Sequence, residues 1–417
     1  VRVIFFKWGN YDEDVILEIL KSQGHFVTAF DAVGKCEADK SAHFGANSAE
    51  YELESLGGMA ADEMVSNLVK EASRFHAEVF FSMDYFQYIS LAAKRAGILY
   101  YCWIYHLPQW NLYSNQAQFP CNRFFTYDHA HLRTMRQHNI KNVTYLSLAA
   151  DRKLFSGASN GISGSMLTKY VTDVSFVGNL YETGYNLFNN ISAEAKTQPV
   201  YRTIVKTIRK KMFNYGRNVL EADITPEIVD FLMKEVGQDK WNYYFASQED
   251  IVIQSVIARK VTVEERKTMI QKMAENFDFK LYSVSSTRKY PQVKNMGPVD
   301  FRKTAPLVFN QSKVNLYVTP RAITTGIPLR VLEIISCQGF VLTNYQEDLA
   351  NEFVEGKEIV MYRSLDDLIE KTKYYLEHDD ERRAIIRAGY EKVMREYNFG
   401  IKLSEIFTKD SCGGFLI

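Results

Sequence analysis

Residues 319–353 read TPRAITTGIPLRVLEIISCQGFVLTNYQEDLANEF, and the fold turns on this stretch. Just upstream, residues 314–318 are a β-branched and apolar run, so a strand delivers the chain into the polar loop that follows. Gly326 permits a turn, and Pro328 falls at the first helical position, where its fixed φ fits and its missing N–H is not needed. An apolar-faced helix is expected over 329–337, with Gly339 as its C′ residue. Residues 340–343 read as a short buried strand, and a second helix starts near Gln346. A helix starting at the carboxyl end of a strand presents free N–H groups and the positive end of its dipole, which suit a phosphate. Arg330 in the first turn adds a permanent positive charge, and Glu333 shares its face one turn on. A carboxylate at that depth can accept hydrogen bonds from ribose hydroxyls. The same residues also describe an ordinary helix start with an Arg–Glu surface pair.

Working outward, the chain alternates strands and helices. Residues 1–6 open as an apolar strand, followed by the polar loop KWGNYDED, a helix to about Lys21, a turn at Gly24 and a strand over 25–30. This is the entry to a doubly wound sheet, in which ligands sit beyond the carboxyl ends of the strands. A single Gly9 is no dinucleotide fingerprint, and Asp12, Glu13 and Asp14 read as acidic residues opening a helix, with a metal-binding D-x-D as the lesser reading. Residues 32–57 show no clear period and are expected to form a loop. Further strands are expected over 78–83, 98–104, 123–127 and 142–146. They end at Asp84, at the loop carrying Tyr105, His106 and Pro108, and at Asp128.

The Gly/Ser-rich text FSGASNGISGS at 155–165 reads as a linker between two halves. The first domain is then 1–160 and the second 161–397, with a helical insertion at about 199–260 and a final helix, 398–417, that crosses back to the first domain. The second half starts with a strand at 173–177 ending in Gly178 and Asn179, and another strand over 277–284 carries Tyr282 and Ser283. In the insertion Arg202, Lys206, Arg209, Lys210 and Lys211 make one helix basic, as a solvated face or a docking surface for a lipid-linked or anionic acceptor. Ser364 and Asp367 read as a capping box. The fold expected from this order is α/β, with two Rossmann-like doubly wound parallel-sheet domains facing a cleft.

Composition narrows the function classes. Fifty basic and 50 acidic residues cancel, so no global field recruits nucleic acid or an anionic membrane, and membrane contact is at most peripheral. No run approaches the roughly 20 apolar residues of a membrane span. Five scattered cysteines without a C-x-x-C pair (Cys36, Cys102, Cys121, Cys337, Cys412) suggest reduced thiols and a cytoplasmic protein.

The block TGIPLRVLEIISCQGFVLTNYQEDL resembles the nucleotide-sugar-binding segment of GT-B glycosyltransferases related to the spore-maturation protein CgeB, in which a TGIP-R-(D/E)-x-x-x-CGGF-LTN pattern is typical. DVSFVGNLY at 173–181, GILYYCWIYHLPQWNLYS at 97–114 and GKEIVMYRSLDDLIEKTKYYLEHDDER at 356–382 extend the resemblance along nearly the whole chain. It departs at Gln338, where the family usually has a glycine, and at His106, where the family usually has Asp.

The resemblance implies a GT-B fold and transfer of a sugar from a nucleotide-sugar donor, UDP-sugar by default, with no metal and no other cofactor. The acceptor would be a glycan, a protein or a lipid-linked intermediate. Thr325, Gly326, Ile327, Pro328 and Arg330 would hold the diphosphate, Arg321 would add a second cation, and Glu333 would take the ribose. Gly178 and Asn179 would let the donor approach a bare backbone, Tyr282 and Ser283 would border the base, and Asn344 and Tyr345 would reach the sugar. A general base is needed for the acceptor hydroxyl, and His106 is the first choice because an imidazole titrates near neutral pH. Asp128 and Asp84, both at strand ends, are the alternatives. A retaining GT-B group carries an E-x(7)-E pair; Thr325 stands eight residues before Glu333, which leans towards inversion. Two other readings stay open: a GT-B epimerase or phosphorylase, and a non-catalytic partner subunit.

Overall fold

The computed structural model describes residues 1–32, 61–182, 186–216, 218–237 and 246–408. The loop expected at 32–57 and the thiols Cys36 and Cys412 lie almost wholly outside these residues. The chain divides into two compact units, one built mainly from 1–149 and 398 onwards, the other mainly from 150–397.

In the first unit six strands form one parallel sheet in the order β2-β1-β3-β4-β5-β6: β1 Arg2–Lys7, β2 Phe26–Asp31, β3 Val79–Met83, β4 Leu99–Trp103, β5 Asn122–Thr126 and β6 Val143–Tyr145. Val3 pairs with Val27 on one side and Val79 on the other. These strands are covered on both faces, which is why they read as unbroken apolar runs; Val3, Ile4, Phe5 and Phe6 are all buried. One face packs the helices Ala61–Phe75 and Gln87–Ala96, through Leu68 and Ile89, against Phe6 and Phe80. The other face meets the C-terminal helix Phe399–Thr408: the Phe407 ring packs edge-on to Phe81 and tilted against Tyr101, and Phe399 edge-on to Trp103.

The second unit repeats the plan in the order β12-β11-β10-β7-β8-β9: β7 Thr172–Val177, β8 Phe279–Tyr282, β9 Lys294–Asn295, β10 Ser312–Tyr317, β11 Val341–Asn344 and β12 Val360–Tyr362. Among the described residues all of its strand pairs are parallel, with Leu316 opposite Phe176 and Leu342. β9 and β12 are additions to the sequence reading. Each is two or three residues long, too short for a hydrophobic period to announce it.

Both sheets change direction once. In the first, β2 leaves β1 on one side and β3 on the other; in the second, β8 and β10 flank β7 in the same way. The crevices at the carboxyl ends of β1/β3 and of β7/β10 are therefore the topological switch points, where open α/β sheets bind ligands.

Several local expectations need correction. The Gly/Ser-rich stretch is not an open linker: it carries helices Leu154–Ser159 and Gly164–Leu167, and the division into units falls after Ala149. Pro328 is the N-cap and the helix runs Leu329–Ser336. Its left-handed C-terminal residue is Gln338, with φ 56°, not Gly339. Gly339 is needed for space, because a Cβ there would lie 2.6 Å from the Phe309 carbonyl oxygen. Ser364 does accept the Asp367 N–H, but Asp367 reaches back to the N–H of Arg363, so only half of a capping box forms. On the helix Pro199–Lys211, Arg202, Lys206, Arg209 and Lys210 are exposed, whereas Lys211 is buried and donates to the carbonyls of Val219 and Ala222.

Candidate functional site

In the first unit the carboxyl edge of the sheet gathers a His–Asp pair. Asp84 follows β3 directly, is fully buried and adopts a left-handed φ of 64°, a conformation that costs a non-glycine residue about 1 kcal/mol or more. One of its oxygens accepts the backbone N–H groups of Tyr105 and His106, each at 2.9 Å. The other lies 2.5 Å from His106 Nδ1. Because the carboxylate accepts, Nδ1 carries the proton and Nε2 is left as the acceptor on a ring that is 47% exposed. Partial burial pulls the imidazole pKa down, but the Asp84 charge and hydrogen bond outweigh it and hold it above 6.5.

Trp8 walls this pair, edge-on to the His106 ring with centroids 6.0 Å apart, and its indole N–H donates to the Met83 carbonyl at 2.7 Å. The loop carrying Trp8 is held by Glu13, whose buried carboxyl accepts the N–H groups of Trp8 and Gly9. Burial pushes Glu13 up to about 7 against the lowering effect of those N–H groups and of Lys7. Asp14 pairs with Lys7. Glu13 and Asp14 thus fold back on their own loop. Asp128 is committed elsewhere: it caps the helix His129–Gln137, accepting the N–H groups of Ala130 and His131.

In the second unit the helix Leu329–Ser336 opens at the carboxyl end of β10, as its sequence implies. Thr325, Gly326, Ile327 and Pro328 are buried, and Thr325 is tied to Asp348 by its hydroxyl (3.2 Å) and its carbonyl (3.0 Å). The Arg330 guanidinium lies 2.7 Å from Glu333, with its Cζ 4.2 Å from the centre of the Phe301 ring.

The other predicted contacts are mostly braces. Asn344 accepts the Thr319 N–H at 2.7 Å and donates to the Tyr345 carbonyl, fixing the loop after β10. The Asn179 side chain accepts from the Tyr181 N–H and the Ser285 hydroxyl, and the Ser283 hydroxyl accepts the Ser285 N–H. Tyr282 is buried, which raises its phenol to about 12, and the Tyr345 ring lies beneath Arg363.

Arg321 does not fit the part of a second diphosphate cation. It makes hydrogen bonds to both carboxylate oxygens of fully buried Glu265 and donates to the carbonyls of Lys211 and Asn214. It is the anchor that ties the helical insertion to the loop after β10. The edge of this anchor lines a small open depression with Tyr215, Leu220, Thr324, Asn344 and Gln346.

Sequence reasoning missed Arg266. It lies on the helix Ala258–Asn276 and is buried, donating from Nη1 to the Asn179 carbonyl after β7 and from Nη2 to the Val318 carbonyl after β10. It therefore bridges the switch point. A Cβ on Gly178 would lie 3.3 Å from the Phe176 ring, a tight contact, and at an ordinary 3.7 Å from Arg266 Nη1, so this glycine makes room for the ring. One signal was available: Glu265 and Arg266 fall on the same helical stripe as buried Val261, Thr262, Met269 and Met273.

The sequence from 259 to 407 matches a family model described as glycosyl transferase-like. This part of the chain is glycosyltransferase-like. It contains Arg266, Arg321, Arg330 and Glu333. No curated protein gives a significant sequence match. Among solved structures, the trehalose-6-phosphate synthase OtsA superposes with a TM-score of 0.53 at 12% identity, covering 100% of both chains. Sucrose-phosphate synthase from Thermosynechococcus elongatus gives 0.52 at 9% identity, over 99% of this chain and 100% of that one. Anabaena Alr3699/HepE, solved in complex with UDP-glucose, gives 0.51 at 10% identity over 98% and 99%. At such identities the likeness speaks for the fold: two six-stranded parallel sheets with flanking helices, as in GT-B glycosyltransferases. Among the described residues no helix is long and apolar enough to cross a membrane, and Cys102, Cys121 and Cys337 are thiols outside any disulfide.

Proposed function

We propose that this chain is a glycosyltransferase, related to the CgeB-like group, that moves a hexosyl unit from a nucleoside-diphosphate sugar to an acceptor hydroxyl in the cytoplasm. The observation that carries the reading is the helix Leu329–Ser336, which opens on the Arg330–Glu333 pair at the carboxyl edge of its sheet, inside the stretch that matches the glycosyl transferase-like model. Breaking the anomeric C–O bond leaves negative charge on the diphosphate. Helix N–H groups and Arg330 supply fixed positive charge where it develops, so the reaction needs no metal. Glu333, one turn deeper, accepts hydrogen bonds from the ribose. UDP is the favoured nucleotide, in line with the UDP-glucose complex of HepE.

The acceptor hydroxyl, on a glycan, a protein or a lipid-linked intermediate, loses its proton to Nε2 of His106. Asp84 is the positioning residue: it fixes the Nδ1–H tautomer and stabilises the imidazolium that forms. This arrangement makes His106 a workable substitute where the family pattern has Asp. The test is calorimetric titration of the full chain with UDP, GDP, dTDP and their common sugars. Tight binding of one of them, lost in Glu333→Ala, supports the reading; binding of none of them overturns it.

A further inference from the structure

The helix Pro199–Lys211 carries five cations and no carboxylate. Elsewhere in the second unit, helices balance such charges with their own acids: Lys260 pairs with Glu264, Lys272 with Glu275 and Lys371 with Asp367, each one turn away. Here Val200, Ile204 and Ile208 form the buried stripe. At about 100° per residue, Arg202, Lys206 and Arg209 fall within roughly 60° of one another on the opposite, exposed side. Lys210 lies beside them, 3.1 Å from Asp223, and exposed Lys196 precedes the helix. Lys196, Arg202, Lys206 and Arg209 have no ion-pair partner among the described residues.

Local stability does not call for this row. Cations suit the last turn of a helix, but Arg202 stands near its start and Lys196 before it, where the dipole is positive. Lys206 faces Arg202 and Lys210 at four-residue spacing and Arg209 at three, and like charges at those spacings destabilise a helix. The row is also held firmly. Arg321 Nη2 donates to the carbonyls of Lys211 and Asn214 at the end of the helix, which fastens it beside the loop after β10. A linear polyanion lying along the row would relieve the repulsion. Three observations choose among polyanions. No large apolar side chain is exposed on this helix, so it has nothing to insert into a bilayer. No exposed aromatic residue interleaves the row to stack nucleic-acid bases. Two of the three leading cations are arginines, whose planar fork matches carboxylates. We infer that this face binds an acidic, carboxylate-bearing glycan and holds it beside the carboxyl edge of the second sheet. That the glycan is the acceptor rests on the transferase reading. The surface itself does not.

The test uses polygalacturonate and the full chain. Calorimetry should show binding at low salt that is mostly lost at about 0.5 M salt, where exposed charges are screened. The triple variant Arg202→Gln, Lys206→Gln, Arg209→Gln should weaken it about tenfold or more. The same loss of charge at exposed Lys70, Lys141 and Lys289, each changed to Gln, should leave it near wild type. Arg202→Lys with Arg209→Lys should keep most of the binding. The first triple variant should melt no lower than wild type, because it removes like-charge pairs; Lys206→Gln alone should weaken binding in the same direction. Polygalacturonate that does not bind, or that is weakened equally by both triple variants, overturns the surface. Tighter binding of phosphatidylglycerol vesicles or of oligodeoxythymidylate through the same row overturns the glycan. Row-dependent polygalacturonate binding without binding of any sugar nucleotide would keep the surface and remove the transferase reading; nucleotide binding without polygalacturonate binding would do the reverse.

Discussion

His106 Nδ1 lies 2.5 Å from Asp84 Oδ2, and the other Asp84 oxygen holds the backbone N–H of His106 itself. One carboxylate thus fixes both the ring and the main chain of the same residue. Its own backbone strain is offset by three accepted hydrogen bonds.

For turnover the pair has a defined pH signature. A base acts unprotonated, so activity should fall as pH drops through the raised His106 pKa, and Asp84→Asn should move that midpoint down towards 6.5. The pair's contribution to stability runs the other way: it is fully present below the unfolded imidazole value and is lost as pH rises through the folded one. His106→Ala should cost about 100-fold or more in turnover and leave donor affinity near wild type. Steady-state rates set beside calorimetric donor affinities check this, and unchanged turnover would remove His106 from the base role.

Glu333 is buried and one turn below the helix start, so its loss should be felt by the nucleoside and not by the phosphate alone. Glu333→Ala should weaken UDP binding by about tenfold or more, the worth of charge-assisted hydrogen bonds. Pyrophosphate binding should change much less. A parallel loss for both ligands in titrations of the two would mean that Glu333 acts only by holding Arg330.

Arg321 gives the opposite expectation. Replacing it with Ala strands the Glu265 carboxylate, which is fully buried, and breaks the anchor of the insertion. Chemical denaturation should show a loss of about 3–5 kcal/mol, the range for breaking a buried ion pair. Arg321→Ala would be the wrong variant for measuring donor affinity, because the fold fails first.

Glu13 should make the first unit more stable in mild acid. Its folded pKa, about 7, lies above the ordinary 4.5, so the folded state binds the proton more tightly. Stability should decline as pH rises from about 4.5 to 7, by roughly 3 kcal/mol at most. Glu13→Gln keeps an acceptor for Trp8 and Gly9 and should flatten that decline. Melting temperatures across this pH range decide it; parallel curves for wild type and variant would assign the proton elsewhere.

Much of this protein is legible in one dimension. Parallel strands covered on both faces appear as apolar runs such as Val3–Phe6, and the helix 329–336 announces itself by Gly326, Pro328 and its apolar period. The Arg330–Glu333 pair follows from helix geometry alone, since residues three apart share a face. Gln338 shows the limit even of local rules: the nearby glycine invites the left-handed assignment, yet a crowded carbonyl from Phe309 is what requires Gly339.

What the sequence by itself determined, then, is the alternation of elements, the sheet class and the phosphate-like helix start, because each depends on residues within a turn or a strand of one another. Which charges meet was decided only in three dimensions. Arg321, in a loop after a strand, and Arg266, inside a helix, are both just basic residues in the sequence, but one closes on Glu265, 56 positions away, and the other donates to the carbonyls that follow β7 and β10, with no ion-pair carboxylate among the described residues. Asp84 and Asp128 both end strands, yet one orients His106 and the other caps a helix. Strand order in the sheet sets which loop ends become neighbours, and that order depends on long-range packing, which no local period encodes.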